Sequence, residues 1–125
     1  MDFIIDTNEI IFAAFEPSKL PETARSVMDK GVGCVSAASL YEIGWKHRLG
    51  KLALSGAQAS QLLQGSTLEA LSVSAETMIA ATQLAWDHRD PWDRIIAAQA
   101  LRLDTPLISA DTAFDDVADL MRLWT

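Results

Sequence analysis

The segment Phe3-Ile4-Ile5-Asp6-Thr7-Asn8 places a short apolar run directly before an acidic residue and a polar pair. Three large apolar residues bounded in this way predict a buried strand. Ile11, Ala14 and Phe15 then follow at helical spacing. A strand that leads into a helix is the first half of a βαβ unit, so the beginning of the chain favours an α/β fold.

The same alternation of apolar runs and helical segments continues along the chain. Further strands are predicted at 33–35, 71–73 and 106–109, with an edge strand at 121–124. Because strands that alternate with helices form parallel sheets, the pattern predicts an α/β fold whose mainly parallel sheet is covered by helices on both faces. Residues 1–125 fit a single domain, since two cores of half this size would bury little surface.

Capping residues and apolar spacing predict the orientation of two helices. Ser36 is a candidate N-cap for a helix that carries Leu40, Ile43 and His47 on one face. Ser74 is a candidate N-cap for a second helix. The stripe predicted to face the core of that second helix consists of Met78, Ile79, Thr82, Ala85 and Trp86.

Charge limits the classes of partner. The chain has 10 Lys and Arg against 17 Asp and Glu, a net charge of −7, which is the wrong sign for holding nucleic acid by bulk electrostatics. Any polyanionic substrate must therefore be held locally. The one cysteine, Cys34, lies in an apolar run and is predicted to be a buried, inert thiol. Neither a secretory signal nor a membrane span is visible, so we expect a cytoplasmic protein.

Four acidic residues fall near the predicted strand ends. Asp6 directly follows the first strand, and Asp111 lies two residues beyond the fourth. Parallel strands end at the same edge of a sheet, where ligand sites of such folds lie, so these two are expected to meet. Asp93 is in the first turn of a later helix, and Glu42 lies about 9 Å along the helix that Ser36 begins. These two reach the edge only if their helices are placed toward it.

Each acid also has a local explanation. Asp111 and Asp6 can cap the helical turns that follow them, Asp93 can complement a helix dipole, and Glu42 can pair with Lys46. Four acids from separate segments at one edge are, however, difficult to explain by stability alone. Clustered carboxylates repel one another unless a cation neutralises them, and Mg²⁺ prefers such oxygen ligands. The reaction class that follows is phosphodiester hydrolysis.

Four blocks of sequence, in this order, resemble PIN-domain ribonucleases, and among them the VapC-type toxins of toxin–antitoxin pairs. The resemblance implies a PIN-like three-layer sandwich whose acidic pocket binds Mg²⁺ or Mn²⁺ and cuts single-stranded regions of RNA. The blocks are 3–8, 35–43 with 50–52, 88–100, and 107–111.

The resemblance also assigns residues. Asp6 and Asp93 are the first candidates for direct metal ligands. Asn8 stands where relatives often carry His, which affects fine positioning beside Asp6. Asp90 is the alternative third acid, although its place before Pro91 suits a helix cap better. The catalytic and metal-binding acids implied by the family pattern are Asp6, Glu42, Asp93 and Asp111.

Other polar residues are candidates for supporting roles. The hydroxyl groups of Thr7 and Ser109 can orient carboxylates or bound water, or can serve only in caps and turns. Lys46 and Arg94 are candidate phosphate contacts, with a solvated surface position as the alternative. The two histidines, His47 and His88, are too few and too far apart in sequence for a zinc site. Core or dimer-interface positions are expected for Trp45, Trp86, Trp92 and Trp124.

The leading interpretation is a metal-dependent endoribonuclease. The resemblance further implies a homodimer and a cognate antitoxin, a segment of which occupies the acidic pocket. One alternative is a haloacid-dehalogenase-like phosphohydrolase, but that family uses a second Asp two positions after the first, where this chain has Asn8. The other alternative is a non-catalytic module with the same fold that binds RNA or a protein partner.

Overall fold

The computed structural model describes all residues, 1–125. A five-stranded sheet lies at its centre, with strand order β3-β2-β1-β4-β5, and every neighbouring pair is parallel. This confirms the predicted α/β fold. The strands are β1 Phe3–Ile5, β2 Gly33–Ser36, β3 Leu68–Leu71, β4 Leu107–Ile108 and β5 Arg122–Leu123.

Six α-helices and two 3₁₀ turns connect the strands. The 3₁₀ turns span Pro17–Lys19 and Thr112–Asp116. The helices are α1 Thr7–Phe15, α2 Glu22–Lys30, α3 Ala37–Arg48, α4 Gly56–Gln64, α5 Ala75–Gln83 and α6 Pro91–Arg102. No helix combines the length and the apolar character that crossing a bilayer requires.

Side-chain caps determine where several helices begin. The side chain of Ser36 accepts the Ala38 amide at the start of α3, and Ser74 accepts the Thr77 amide at the start of α5. Each of these oxygens satisfies an amide that has no partner within its own helix.

Alternation along the strands divides the core into two layers. Phe3 and Ile5 point to one face of the sheet, where they pack with Ile43 of α3. Ile4 points to the other face and packs with Ile96 of α6 and with Phe114. Both faces of the sheet are therefore covered, as the three-layer prediction requires.

Two details differ from the sequence prediction. The third strand spans Leu68–Leu71 rather than 71–73, because it lies at the edge of the sheet and leaves Glu69 and Ala70 exposed, a pattern unlike that of a buried strand. The helix that follows buries Thr77 and Ala81, whereas Met78 and Ile79 are exposed, so the predicted inward stripe of α5 was wrong.

Candidate active site

Asp6 lies at the centre of the polar groups at the carboxyl ends of β1 and β4. It follows β1 directly, is 4% exposed, and caps α1 by accepting the Thr7 amide at 2.8 Å through Oδ1. Its second oxygen, Oδ2, accepts a hydrogen bond from the Ser109 hydroxyl at 2.8 Å. One oxygen is thus held by the adjacent residue, and the other by a segment that meets Asp6 only in the folded protein.

Ser109 connects Asp6 to Asp111. Its Oγ donates to Asp6 and accepts the Asp111 amide at 3.0 Å. The Asp111 carboxylate is exposed and accepts the Ala113 amide at 2.9 Å, which begins the 3₁₀ turn. The expected cap at Asp111 therefore coexists with a position beside Asp6.

Asp93 approaches the same place from the first turn of α6. Asp90 is the N-cap of this helix and accepts the Asp93 amide at 3.0 Å. The Asp93 carboxylate lies 2.6 Å from His88 Nε2. Ligand atoms of His88, Asp93 and Asp111 all fall within 4.8 Å of one another, which is a spacing that could hold a metal ion.

Glu42 completes the set from the second turn of α3. It is 5% exposed, so it does not lie on a solvated face of the helix. One oxygen forms an ion pair with Lys46, whereas the other, Oε1, is buried without a hydrogen-bond partner. The Lys46 ammonium also lies 5.8 Å from the centroid of the Trp92 ring.

A further acid, Glu9, joins these residues from the first turn of α1. It is 2% exposed, and its Oε1 accepts the Ala110 amide at 3.1 Å. We call Asp6, Glu9, Glu42, Asp93 and Asp111 the acid cluster.

Several carboxyl groups of the acid cluster have raised pKa values, which disfavours full ionisation of the cluster. Burial raises the pKa of Asp93 to about 7, with Asp6 and Asp90 adding repulsion and His88 acting in the opposite direction. Burial likewise raises the pKa of Glu9 to about 8, with further repulsion from Asp6. The pKa of Asp6 is also raised by burial, although hydrogen bonds from Ser109 and the Thr7 amide act against this.

The other expected site residues occupy different positions. Thr7 is buried, and its hydroxyl donates to Ser39 of α3 at 2.9 Å, which ties α1 to the helix that carries Glu42. Asn8 is exposed on α1, and its side chain makes no hydrogen bond to the acid cluster.

Arg94 binds backbone carbonyl groups, whereas the sequence suggested that it contacts a substrate phosphate. Its guanidinium donates to the backbone carbonyls of Trp86 at 2.6 Å, Leu84 at 2.9 Å, Ala81 at 3.0 Å and His88 at 3.1 Å. These hydrogen bonds satisfy carbonyl groups at the C-terminal end of α5 and fix the conformation of the loop that follows it. Because its donors are taken up by the backbone, Arg94 is not available as the phosphate contact that the sequence suggested.

Sequence reasoning did not single out Glu9 and gave His88 no role beside the acids. Glu9 lies three residues after Asp6, a spacing that places both on one side of the first helical turn and could have been noticed. The two histidines are too few and too far apart in sequence to predict a zinc site, but His88 lies five residues before Asp93 in the same sequence block. Both signals are local, but their meaning depends on contacts with distant segments.

Comparison with known proteins identifies the family. The family model of the PIN domain matches residues 3–120, which is nearly the whole chain. The protein belongs to the PIN domain family. PIN domains are nucleases that use divalent metal ions, so the family places the chain among hydrolases of nucleic acid rather than among haloacid dehalogenases. No curated protein sequence matches the chain.

Solved structures share this PIN fold at low sequence identity. A chain of VapBC2 from Rickettsia felis, bound to a promoter DNA fragment, is 18% identical with a TM-score of 0.72, and the match covers 100% of both chains. A chain of DNA-bound VapBC from Salmonella typhimurium is 20% identical with a TM-score of 0.74, covering 98% of this chain and 97% of that one. A chain of VapBC-1 from nontypeable Haemophilus influenzae is 20% identical with a TM-score of 0.71, covering 98% of this chain and 97% of that one.

The acid cluster of this PIN domain fits a hard divalent cation. Its carboxylates offer oxygen ligands, which Mg²⁺ and Mn²⁺ prefer. Two buried oxygens, Glu9 Oε2 and Glu42 Oε1, have no donor in the protein. A buried carboxylate without a donor is costly, and a bound cation would remove that cost.

Proposed function

We propose that the protein is a metal-dependent endoribonuclease that hydrolyses RNA phosphodiesters and acts as the VapC-type toxin of a toxin–antitoxin pair. The observation that carries this proposal is the convergence of carboxylates from α1, α3, α6 and the segment after β4, with buried oxygens that lack protein donors. A purely structural cluster would be expected to pair such oxygens internally.

Asp6 and Asp93 are proposed to hold Mg²⁺ or Mn²⁺ directly, with Glu42 and Asp111 completing the site. When bound, such an ion offsets negative charge on the phosphodiester and favours ionisation of the attacking water. Hydrolysis adds this water to phosphorus, breaks one P–O ester bond, and leaves a proton on the departing oxygen.

The surrounding residues position these acids. Ser109 and the Thr7 amide hold the two oxygens of Asp6, and His88 holds one oxygen of Asp93. Such outer contacts orient ligating carboxylates. Lys46, which pairs with Glu42 at the border of the cluster, is the candidate contact for a substrate phosphate.

Cleavage of RNA tests the proposal directly. Purified protein is incubated with total RNA in Mg²⁺, Mn²⁺ or EDTA, and the new ends are mapped. We expect divalent-dependent cleavage that Asp6→Asn or Asp93→Asn reduces by at least about 100-fold, since charge-stabilising groups in active sites contribute on that scale. The control is Asp29→Asn, which removes an exposed acid from α2. Full cleavage by both site variants would contradict the assignment, and a folded protein without divalent-dependent cleavage would favour the non-catalytic module.

An apolar groove between α1 and α4 supports a protein partner. Ile10, Ala14, Leu62 and Leu63 line it, and Leu62 is 44% exposed. The similar structures are toxin–antitoxin complexes, so the proposed occupant is an apolar segment of a cognate antitoxin. Because α1 runs from Asp6 to this groove, a segment lying along it can also reach the acid cluster, where an Arg would neutralise carboxylates.

Leu62→Asp tests the groove. The protein encoded by the neighbouring reading frame is co-purified with the wild type and with Leu62→Asp, with Gln64→Asp at the end of the same helix as the control. We expect loss of the complex only with Leu62→Asp, because a carboxylate would be buried against apolar groups. A stable complex with Leu62→Asp would place the antitoxin elsewhere.

A second apolar surface supports the proposed homodimer. Tyr41 and Trp45 on α3 are exposed and stack on each other, and Tyr41 also contacts Trp92 of α6. Met78 and Ile79 are exposed on α5, which packs against α6. Exposed apolar residues of this size often mark interaction sites, and a second copy that covered either pair would remove it from water.

Light scattering with Ile79→Asp tests the homodimer. We expect a dimeric wild type and a monomeric variant with unchanged far-UV circular dichroism. A monomeric wild type whose Tyr41→Ala variant binds RNA more weakly would instead indicate that the aromatic residues stack on bases.

A further inference from the structure

Glu9 is the member of the acid cluster that the family pattern does not assign. It is the third residue of α1, three positions after Asp6, and only 2% of it is exposed. Acidic residues are seldom buried to this degree unless they are paired. The position therefore needs a physical explanation.

One of its oxygens has a structural contact. Oε1 accepts the amide of Ala110, which immediately precedes Asp111, at 3.1 Å. Glu9 thereby ties the first turn of α1 to the segment that carries Asp111, across 101 positions of sequence. This contact alone would need only one acceptor and no negative charge.

The other oxygen has no protein donor. Oε2 is buried and accepts no hydrogen bond. The Asp6 carboxylate lies next to it and can accept a hydrogen bond from Glu9 only when Glu9 is protonated. Two neighbouring carboxylates cannot satisfy each other when both are ionised, because each only accepts hydrogen bonds. This arrangement suits a cation that both can face.

A capping box does not explain Glu9. An acid three residues after the N-cap commonly accepts the N-cap amide. Here the Asp6 amide donates instead to Ile108 of β4 at 3.0 Å, as part of the sheet, so Glu9 has no such role. The carboxylate is directed to Ala110 and Asp6 rather than to its own helix.

We propose that Glu9 is a fifth carboxylate of the divalent-cation site, contributing its free oxygen beside Asp6 while its bonded oxygen holds the segment of Asp111. The inference rests on the proposed function, since it extends the same metal site. It assigns to Glu9 a direct part in metal affinity and a positioning part toward Asp111.

Metal binding without substrate tests the inference. Mn²⁺ affinity is measured by calorimetry for the wild type, Glu9→Gln, Asp6→Asn, and the control Glu22→Gln, which changes an exposed acid at the start of α2. The Gln side chain keeps the shape and an oxygen for Ala110 but lacks the charge. We expect at least about tenfold weaker Mn²⁺ binding for Glu9→Gln, because the variant lacks the negative charge that the cation would face.

The two ways of failing are distinct. If Asp6→Asn loses Mn²⁺ binding while Glu9→Gln binds like the wild type, the inference is overturned and the proposed function stands. If wild type and Asp6→Asn bind Mn²⁺ equally, the metal site itself is wrong.

A measurement on the wild type avoids any dependence on folding of the variant. In a titration with diamagnetic Mg²⁺ followed by carbon-detected NMR, the Glu9 carboxyl signal should shift together with that of Asp6, whereas the Glu22 signal should not move. A shift of the Asp6 signal without a shift of the Glu9 signal would also overturn the inference.

Discussion

The Arg94 guanidinium and the acid cluster are two charged centres of the same fold, and they differ in whether the protein supplies their hydrogen-bond partners. Arg94 donates to five backbone carbonyls in the segment 81–88, those of Ala81, Thr82, Leu84, Trp86 and His88. In the acid cluster, two buried carboxylate oxygens receive no donor, and the pKa values of Asp93 and Glu9 are raised to about 7 and about 8. A charged group whose hydrogen-bond partners all lie in the protein stabilises the fold. Buried carboxylates without such partners instead favour the binding of a cation from solution.

The largest effect on the free energy of unfolding is expected for Arg94, whose hydrogen-bond partners lie within the protein. Arg94→Met removes the donors and leaves several carbonyls of the loop after α5 unpaired, so the free energy of unfolding should fall by about 3 kcal/mol. Urea denaturation measures this change. The matched control is Arg102→Met at the exposed end of α6, which should change stability by less than about 0.5 kcal/mol. Equal effects of the two substitutions would remove the contrast between the two centres.

Lower pH should stabilise the metal-free protein through the acid cluster. Folding raises the pKa of Asp93 and Glu9, so between about pH 4 and pH 8 the folded state holds more protons than the unfolded state. This contribution is fully present below the unfolded pKa values and is lost as pH rises through 7 to 8. Between pH 5 and pH 8, we expect the free energy of unfolding of the wild type to fall by about 2 kcal/mol relative to that of Asp93→Asn.

Urea titrations of both proteins at each pH, in EDTA, measure this difference. Saturating Mg²⁺ should reduce it, because the ion binds the ionised carboxylates. A difference that does not change with pH would show that the raised pKa of Asp93 has no counterpart in solution.

Ser109→Ala tests a residue that satisfies part of the acid cluster. The variant removes the donor to Asp6 and the acceptor for the Asp111 amide. We expect about tenfold weaker Mn²⁺ binding and a stability loss of about 1 kcal/mol. Calorimetry and urea denaturation measure the two, with the exposed Ser60→Ala on α4 as control. Unchanged Mn²⁺ affinity would reduce Ser109 to a turn residue.

The smallest effect is expected for Lys46, which is shared between the acid cluster and solvent. Its hydrogen bond and attraction to Glu42 raise its pKa, so it stays charged at neutral pH. Lys46→Ala should weaken binding of single-stranded RNA about threefold and reduce the slope of log affinity against log salt by about 1. Fluorescence anisotropy at several salt concentrations measures both, with Lys30→Ala on α2 as control. An unchanged slope would mean that Lys46 only pairs with Glu42.

Much of the fold could be predicted because it depends on local patterns. The apolar run of β1 and the cap at Ser36 appear in the sequence and in the structure at the same positions. The edge strand β3 could not be positioned in this way, because half of its side chains face solvent. On α5 the spacing of apolar residues was clear, yet the helix turns Met78 and Ile79 outward.

The acid cluster was accessible to sequence reasoning only in part. Asp6 and Asp111 follow strands, so the geometry of a parallel sheet predicts that they meet. The approach of Glu42 and Asp93 depends on how α3 and α6 cross the end of the sheet, which no local pattern encodes. Glu9 looked like an ordinary residue of a first helical turn, because its partner, Ala110, is far away in sequence.

The pairing of β1 with β4 has a consequence for the protein during its synthesis. Asp6 is synthesised 103 positions before its hydrogen-bond partner Ser109. A nascent chain that lacks β4 therefore has no Ser109 hydroxyl to hold the second oxygen of Asp6. The acid cluster is assembled only after the segment that carries Ser109 and Asp111 has been synthesised, so a chain interrupted before β4 lacks the complete cluster.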